Sequence, residues 1–153
     1  MSKLGGKMTA KDFTRLQDCA CFNIRKSSRM ITQLFDQALK PSGIKATQFT
    51  LLGTLAKEGE TAIKELARSL CIDRTTLSRG IVRLETKGLI KSREGDDARK
   101  RFVALTTKGI QKLNDTIPYW EKAQDVIEKR MGGNFPEFLN TLETAVERQP
   151  TSL

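Results

Sequence analysis

Apolar residues recur at three- and four-residue intervals over residues 13–38, and this spacing predicts one long amphipathic helix. We expect the helix to end at residues 40–43 because the residue before a proline avoids helical angles and glycine accepts the left-handed angles of a turn. A second helical pattern over residues 49–56 ends where Gly59 provides another exit. The first part of the chain is therefore predicted to form two helices.

The next pattern consists of two short apolar faces on either side of a three-residue break. One face lies in residues 63–70, the break is residues 71–73, and the second face lies in residues 74–87. Asp73 is suited to cap the second helix, and Gly88 is suited to close it in the left-handed conformation. Two short helices joined by such a turn are typical of a helix-turn-helix.

After Gly88 the apolar period changes from helix-like to strand-like. Residues 89–93 and 101–105 flank a polar stretch and predict a hairpin with a long charged tip. Helical spacing then returns over residues 106–131 and again over residues 135–146. The sequence thus predicts a mostly α fold with a small β-wing, which is a winged helix-turn-helix between long flanking helices.

Size and charge restrict the partners of this fold. A chain of 153 residues fits one compact domain, so we take residues 1–153 as a single unit. Lysine and arginine number 27 against 18 acids, a formal net charge of +9. Residues 64–108 contain 12 basic and 6 acidic residues, so most of the excess lies on the predicted helix-turn-helix and wing. A polyanion such as double-stranded DNA is the expected partner.

Several function classes are unsupported by the sequence. Histidine is absent, which removes the commonest general base and the imidazole metal ligands, and neither a phosphate loop nor a paired acid and base is found. We therefore expect no enzyme activity, no cofactor and no metal. Neither a signal peptide nor an uninterrupted apolar run of about 18 residues is found, so we expect a cytoplasmic protein without membrane contact. The three cysteines are interpreted as reduced thiols.

The outward face of the second helix of the motif carries the strongest candidate chemistry. An α-helix fits the major groove, where arginine can bond to guanine O6 and N7 while hydroxyls reach phosphates or base edges. The candidate residues are Arg74, Thr75, Thr76, Ser78, Arg79, Arg83 and Lys87. A solvated surface helix is the alternative interpretation, and the basic hairpin that follows argues against it.

The hairpin tip is the second candidate contact. Arg99 is placed to enter a narrow minor groove, where the negative potential is strongest. Phosphate would repel Asp97, so we expect its carboxylate to orient Arg99 through a charged hydrogen bond. Lys100 and Arg101 add positive charge beside it. The alternative is an ordinary exposed turn in which acids and bases cancel.

These motifs together resemble the winged-helix core of the MarR family of transcription regulators. The matching segments lie within about residues 44–109 and are Glu65-Leu66-Ala67, Leu70, residues 73–79, residues 84–90, Asp97-Ala98-Arg99 and residues 105–109. The resemblance implies a homodimer in which residues 9–43 and 106–148 form dimerisation helices and residues 44–105 form the winged helix-turn-helix. It also implies a regulator, commonly a repressor, that binds a short palindromic operator. A winged helix that docks an acidic protein is the alternative.

Two positions depart from the family pattern. Cys71 stands where the family usually has a small glycine, so we expect it to be forced toward left-handed angles. Lys45 stands where the second helix often starts with serine or threonine, so we expect Thr47 to cap that helix later.

Two kinds of signal are compatible with the sequence. Cys21, with Cys19, resembles in part the hydroperoxide-sensing OhrR branch, although the two thiols would lie about 200° apart around one helix and could not pair. Alternatively, Phe22, Phe35 and Trp120 would line a pocket for a small aromatic or phenolic effector that relieves repression. For both sets the competing interpretation is simple packing of apolar side chains.

Overall fold

The computed structural model describes residues 15–97 and 100–146, and within them the fold is mostly helical with one small sheet. In chain order the elements are α1 (Ala20–Leu39), α2 (Ala46–Glu58), β1 (Thr61–Ala62), α3 (Ile63–Ser69), α4 (Arg74–Thr86), β2 (Ile90–Glu94), β3 (Arg101–Leu105), α5 (Thr107–Met131) and α6 (Phe135–Val146). Three-residue 3₁₀ turns follow α1 and α5. The predicted winged helix-turn-helix between long helices is confirmed.

The wing is part of a three-stranded antiparallel sheet in the order β1-β3-β2. Strand β2 pairs with β3 along its length, from Ile90 opposite Leu105 to Glu94 opposite Arg101. Strand β1 adds a short pairing in which Thr61 lies opposite Val103. The sequence did not predict β1, because two residues are too few to show an alternating pattern.

One hydrophobic core joins α2, α3, α4 and the hairpin. Its buried members are Ile44, Leu51, Leu52, Leu55, Leu66, Ala67, Leu77, Ile81, Leu84, Leu89, Ile90 and Val103. The apolar face of α4 points inward, since Leu77, Ile81 and Leu84 are each at most 2% exposed. The opposite face of α4 is consequently turned toward solvent.

The start of α5 is joined closely to the end of α4. Thr106 donates its backbone N–H to the Leu89 carbonyl oxygen at 3.1 Å, and its hydroxyl donates to the Gly88 carbonyl oxygen at 2.7 Å. The same hydroxyl accepts from the backbone N–H of Gly109 at 3.0 Å and so caps α5. A Cβ on Gly109 would collide with the Leu89 carbonyl oxygen, so only glycine permits this approach.

The start of α2 is capped by a residue from another helix. Asp36 in α1 accepts from the backbone N–H of Ala46 at 2.7 Å, and the Gln48 side chain accepts from the backbone N–H of Lys45 at 3.1 Å. The expectation that Thr47 caps the helix is therefore wrong. A carboxylate ten residues upstream accepts from the N–H of Ala46, the first residue of α2, so the helix begins before Thr47.

The first helix begins later than its apolar period predicts. Residues Arg15–Asp18 form a 3₁₀ turn, Cys19 is extended with ψ 117°, and α1 starts at Ala20. The side-chain amide of Asn23 donates to the carbonyl oxygens of Gln17 and Cys19, which holds the chain in this bend. A continuous helix from residue 13 is thus wrong over residues 15–19, and residue 13 itself lies outside the described residues.

The long helices leave large apolar side chains in solvent in the single chain. Phe22, Ile24 and Met30 of α1 are 52%, 48% and 61% exposed. Further exposed apolar residues are Ile110, Ile117 and Val126 of α5 and Leu139 of α6. Within the described residues, no helix combines the length and the apolar character that crossing a bilayer requires.

Candidate nucleic-acid interface

The turn before α4 sets the direction of that helix. Cys71 adopts φ 51°, the left-handed angle expected for it, and its neighbour Ile72 donates its backbone N–H to the Ala67 carbonyl oxygen at 3.1 Å. Asp73 is the predicted N-cap, and its carboxylate accepts from the backbone N–H of Thr76 at 2.9 Å and from the Thr76 hydroxyl at 2.6 Å. These hydrogen bonds, led by the one from the hydroxyl, lower the pKa of Asp73.

The exposed surface of α4 presents arginines that form no ion pair with the acids of the described residues. Arg74, Arg79 and Arg83 are exposed, and none of the ion pairs in the described parts of the chain includes them. Thr75 and Ser78 are also exposed on this helix. The structure therefore brings together five of the residues predicted from the sequence. The sixth, Thr76, is exposed as well, but its hydroxyl already donates to Asp73.

The start of α2 lies beside this face, which the sequence reasoning did not predict. A cleft of about 430 Å³ separates the two helices and contains Lys45 and Thr47 on one side and Arg79 and Arg83 on the other. Its apolar lining includes Leu51, Leu70, Ile72 and Leu77. Residues so far apart in the chain share no sequence period, so no local signal could have joined them.

Within the wing tip the structure describes Asp97 and Lys100 but not the two residues between them. Gly95 donates its backbone N–H to the Lys100 carbonyl oxygen at 2.7 Å, and the N–H of Lys100 reaches the Asp97 carbonyl oxygen at 2.8 Å. Asp97 and Lys100 are exposed. Arg99 lies outside the described residues, so both its insertion into a minor groove and its hydrogen bond with Asp97 stay predictions.

A bidentate ion pair connects strand β2 of the wing to the turn before β1. Arg93 donates Nε to Glu60 Oε1 at 2.9 Å and Nη2 to Glu60 Oε2 at 2.5 Å, which lowers the pKa of Glu60. The guanidinium also lies 4.7 Å from the centre of the Phe102 ring. Sequence reasoning assigned no role to Arg93 or Glu60, because 33 residues separate them.

Two of the predicted contact residues bind the protein itself. Arg101 donates Nη2 to the Ser92 hydroxyl at 2.9 Å and lies 3.4 Å from Glu85, whose carboxylate also accepts from Ser92. Lys87 donates its ammonium to the Gly43 carbonyl oxygen at 3.1 Å. Lys87 is 13 residues from Arg74, or about 20 Å along the helix. The structure thus gives both side chains hydrogen-bond partners within the chain itself.

The predicted pocket residues are brought together only in part. Phe35 and Trp120 line a cleft of about 240 Å³ between α1, α2 and α5, where Phe49 stacks on Trp120 with ring centres 5.9 Å apart. Phe22 is 52% exposed and does not line this cleft. Phe49 belongs to the apolar period of residues 49–56, and its place beside Trp120 depends on how α2 packs against α5.

The three cysteines are free thiols at separate places. Cys21 is exposed in the first turn of α1, Cys19 is half-buried before that helix, and Cys71 is exposed in the helix-helix turn. The predicted separation of Cys19 and Cys21 by about 200° around one helix is wrong, because Cys19 is extended and outside the helix. In the described ranges, no cluster of three or more acids and thiols could hold a metal ion.

Comparison with known proteins identifies the family of the chain. The sequence model of the MarR family matches residues 44–101. The chain is 35% identical over 103 residues to the HTH-type transcriptional regulator SarZ of Staphylococcus saprophyticus, an alignment that covers 67% of this chain and 70% of that protein. The chain belongs to the MarR family. Members of this kind are transcriptional regulators rather than enzymes, and this chain is a DNA-binding regulator of the same type.

Two other proteins are similar to this MarR-family chain over a larger share of its length. The organic hydroperoxide resistance transcriptional regulator of Bacillus subtilis is 27% identical over 143 residues, covering 89% of this chain and 92% of that protein. The crystal structure of the M. tuberculosis transcriptional regulator MosR in complex with DNA has a TM-score of 0.77 and 31% identity, and the match covers 83% of this chain and 92% of that one.

Because a titrating carboxylate caps α4, we expect the melting temperature to depend on pH in the acid range. Because the pKa of Asp73 is lowered below its ordinary 3.8 in the folded state, its contribution is complete above that value and is lost as the pH falls through the folded pKa. Asp73→Asn keeps an acceptor that does not titrate, whereas Asp73→Ala removes the acceptor. At pH 7 the alanine variant should have the lowest melting temperature, and the asparagine variant should lie between it and the wild type because its amide keeps one acceptor but no charge.

Thermal melts from pH 7 to pH 2 measure this effect. The difference between the wild-type and alanine melting temperatures should begin to shrink near pH 3.8 and should continue to shrink as the pH falls through the lower folded pKa, whereas the asparagine variant should retain its cap. An alanine variant that melts with the wild type at pH 7 would contradict the assignment of Asp73 as the cap.

Proposed function

We propose that this MarR-family regulator binds a short palindromic operator in double-stranded DNA as a cytoplasmic homodimer. One copy of α4 enters the major groove at each half-site. The observation that carries the proposal is the exposed surface of α4, where Arg79 and Arg83 lie opposite the buried face of Leu77, Ile81 and Leu84 and Arg74 is exposed at the start of the helix. None of the three arginines forms an ion pair within the described parts of the chain. The MosR structure in complex with DNA supports this use of the same fold.

The residues of α4 divide between base and phosphate contacts by their position. Arg74 and Arg79 lie in the N-terminal half of the helix, which is the half that reaches base edges when a recognition helix docks. Thr75 and Ser78 have hydroxyls suited to phosphates or bases. Val82, which is 56% exposed, adds an apolar surface that suits a thymine methyl group. Arg83 is further along the same helix and suits a phosphate.

The wing makes the second contact with DNA. Arg99 enters the minor groove beside the half-site, and Lys100 approaches a phosphate. The Glu60–Arg93 ion pair supports this role, because it attaches strand β2 to the turn before β1 and limits the angles that the tip can adopt. Asp97 orients Arg99 within the tip.

The dimer forms through the long helices, with residues 9–43 and 106–148 as the dimerisation region around the winged domains of residues 44–105. Support comes from the exposed apolar side chains of α1, α5 and α6, among which Phe22, Met30 and Leu139 are 52%, 61% and 47% exposed. Burial of such residues by a second chain removes apolar surface from water. Two linked winged domains then match two half-sites about one helical turn apart.

The regulator represses transcription until a small aromatic or phenolic effector binds in the cleft of Phe35 and Trp120. This cleft lies between α1, α2 and α5, so an effector there contacts both the dimerisation helices and the winged domain. Thr106 and Gly109 fix the start of α5 against Leu89, just after α4. An effector that favours a different angle of α5 would therefore change the spacing of the two recognition helices.

Oxidation of Cys21 is the alternative signal. This thiol is exposed in the first turn of α1, and the chain is similar over 89% of its length to an organic hydroperoxide resistance regulator. A hydroperoxide would convert the thiolate to a sulfenic acid, and the alcohol would leave. The modified residue would lie on a dimerisation helix.

Replacement of an α4 arginine tests the recognition face. With an operator selected from random duplexes, Arg79→Ala should lose about 1–3 kcal/mol of binding free energy and relax specificity at one base position. Arg99→Ala should lose a similar amount, mainly at sites with a narrow minor groove. Lys57→Ala, which removes an exposed cation from the last turn of α2, is the control and should bind like the wild type.

Titrations at several salt concentrations provide the measurement. Wild-type affinity should fall steeply with salt, because phosphate contacts release counterions. A flat salt response together with unchanged affinity in both arginine variants would contradict the proposal.

A charge placed in the apolar surface tests the dimer. Leu139→Glu should shift the chain toward monomer and weaken operator binding, because a carboxylate would be buried without a partner. Val82→Glu is the matched control, since its side chain is equally apolar but lies on α4. That variant should stay dimeric and lose DNA binding. Sedimentation equilibrium measures the oligomer, and a wild-type chain that is monomeric would refute the dimer.

The two signals are separated by one comparison of operator affinity. The wild type and Cys21→Ser are each measured with an organic hydroperoxide and with a panel of aromatic acids and phenols. If an effector in the cleft is the signal, aromatic compounds should weaken DNA binding in both proteins, and Trp120→Ala should abolish the response. A hydroperoxide response that only Cys21→Ser loses would instead establish the oxidant as the signal.

A further inference from the structure

Three lysines converge on one cleft at the C-terminal end of α4. Lys87 is the C-cap of α4, and Lys108 and Lys112 lie in the first two turns of α5. The cleft has a volume of about 380 Å³. It is lined by Ser42, Gly43, Ile44, Thr86, Lys87, Leu89, Lys108 and Lys112.

Backbone carbonyl oxygens accept a hydrogen bond from each of the three ammonium groups. Lys87 donates to Gly43 at 3.1 Å, and Lys112 donates to the adjacent Ser42 at 3.3 Å. Lys108 donates to the carbonyl oxygen of Lys87 at 2.8 Å. No ion pair in the described parts of the chain involves these lysines. Each ammonium has three donors, so a carbonyl uses only part of its hydrogen-bonding capacity.

The fold brings these charges together against electrostatic repulsion. Lys108 and Lys112 are four residues apart on one helix, a spacing at which like charges destabilise each other. Lys108 also lies in the first turn of α5, where the helix dipole disfavours a cation. An anion in the cleft would turn both effects into attraction.

We propose that this cleft binds a small phosphate-bearing anion, with a phosphorylated or oligophosphate metabolite as the ligand class. Lysine is a compact point charge that suits the oxygens around a phosphorus atom, whereas planar carboxylates favour the fork of arginine. The cleft is lined by three lysines and by no arginine among the described residues. It joins the ends of α1, α4 and α5, so its occupant links the recognition helix to the long helices.

The cleft lies at the C-terminal end of α4, one helical turn beyond Arg83 and about 20 Å along the helix from Arg74. Anion binding therefore does not depend on the assignment of base contacts and can be measured without DNA.

Isothermal titration of the full chain with inorganic pyrophosphate, at constant ionic strength, tests the site. The wild type should bind one pyrophosphate per chain. Lys108→Gln and Lys112→Gln should each weaken binding about tenfold, because the amide can still donate to a carbonyl oxygen but carries no charge. Lys57→Gln, an exposed lysine in the last turn of α2, is the matched control and should retain the wild-type affinity.

Thermal melts without anion confirm that each variant is folded, and Lys108→Gln carries the test if Lys112→Gln does not fold. The proposal is overturned if pyrophosphate gives no saturable heat, or if the control variant loses as much affinity as the cleft variants. Citrate binding as tight as that of pyrophosphate overturns the assignment to phosphate. If pyrophosphate fails to bind while Lys108→Gln weakens binding to every DNA duplex equally, the lysines contact the DNA backbone and the proposal is wrong.

Discussion

The packing of one face of α4 into the core decides which residues of this chain can meet another molecule. Leu77, Ile81 and Leu84 are at most 2% exposed, and the burial of each such side chain contributes on the order of 1.5–3 kcal/mol. Since a helix turns by about 100° per residue, burying this face leaves Arg79 and Arg83 in solvent on the other side. The chemistry of the recognition surface is thus a consequence of the core behind it.

The same core determines how the recognition helix is connected to the rest of the molecule. Gly88 turns the chain after α4, and the buried Leu89 presents its carbonyl oxygen to Thr106 and to the closely approaching Gly109. Leu89, just after α4, therefore contacts the start of α5 directly through its carbonyl oxygen. A change at the long helices would therefore be transmitted through packed backbone, which is the physical condition for coupling a bound effector to DNA affinity.

The basic residues serve different purposes, although the sequence presents them as one excess of charge. Arg68, Arg93 and Arg101 each pair with a carboxylate of the same chain. Exposed pairs of this kind add little stability, but the bidentate pair of Arg93 with Glu60 orients the wing. The arginines of α4 have no such partner in the described residues, so their charge is available to DNA phosphates and bases.

Local periodicity and turn chemistry in the sequence were enough to determine the order of the helices, the hairpin, the inward face of α4 and the left-handed turn at Gly88, whereas the left-handed angle at Cys71 was implied by the resemblance to the MarR family. Each of these depends on residues within one or two helical turns of one another. Tertiary structure alone decided that Asp36 caps α2 and that Glu60 holds Arg93. Those partners lie 10 and 33 residues apart, and contacts at such separations follow no period, because they form only when the packed core brings the segments together.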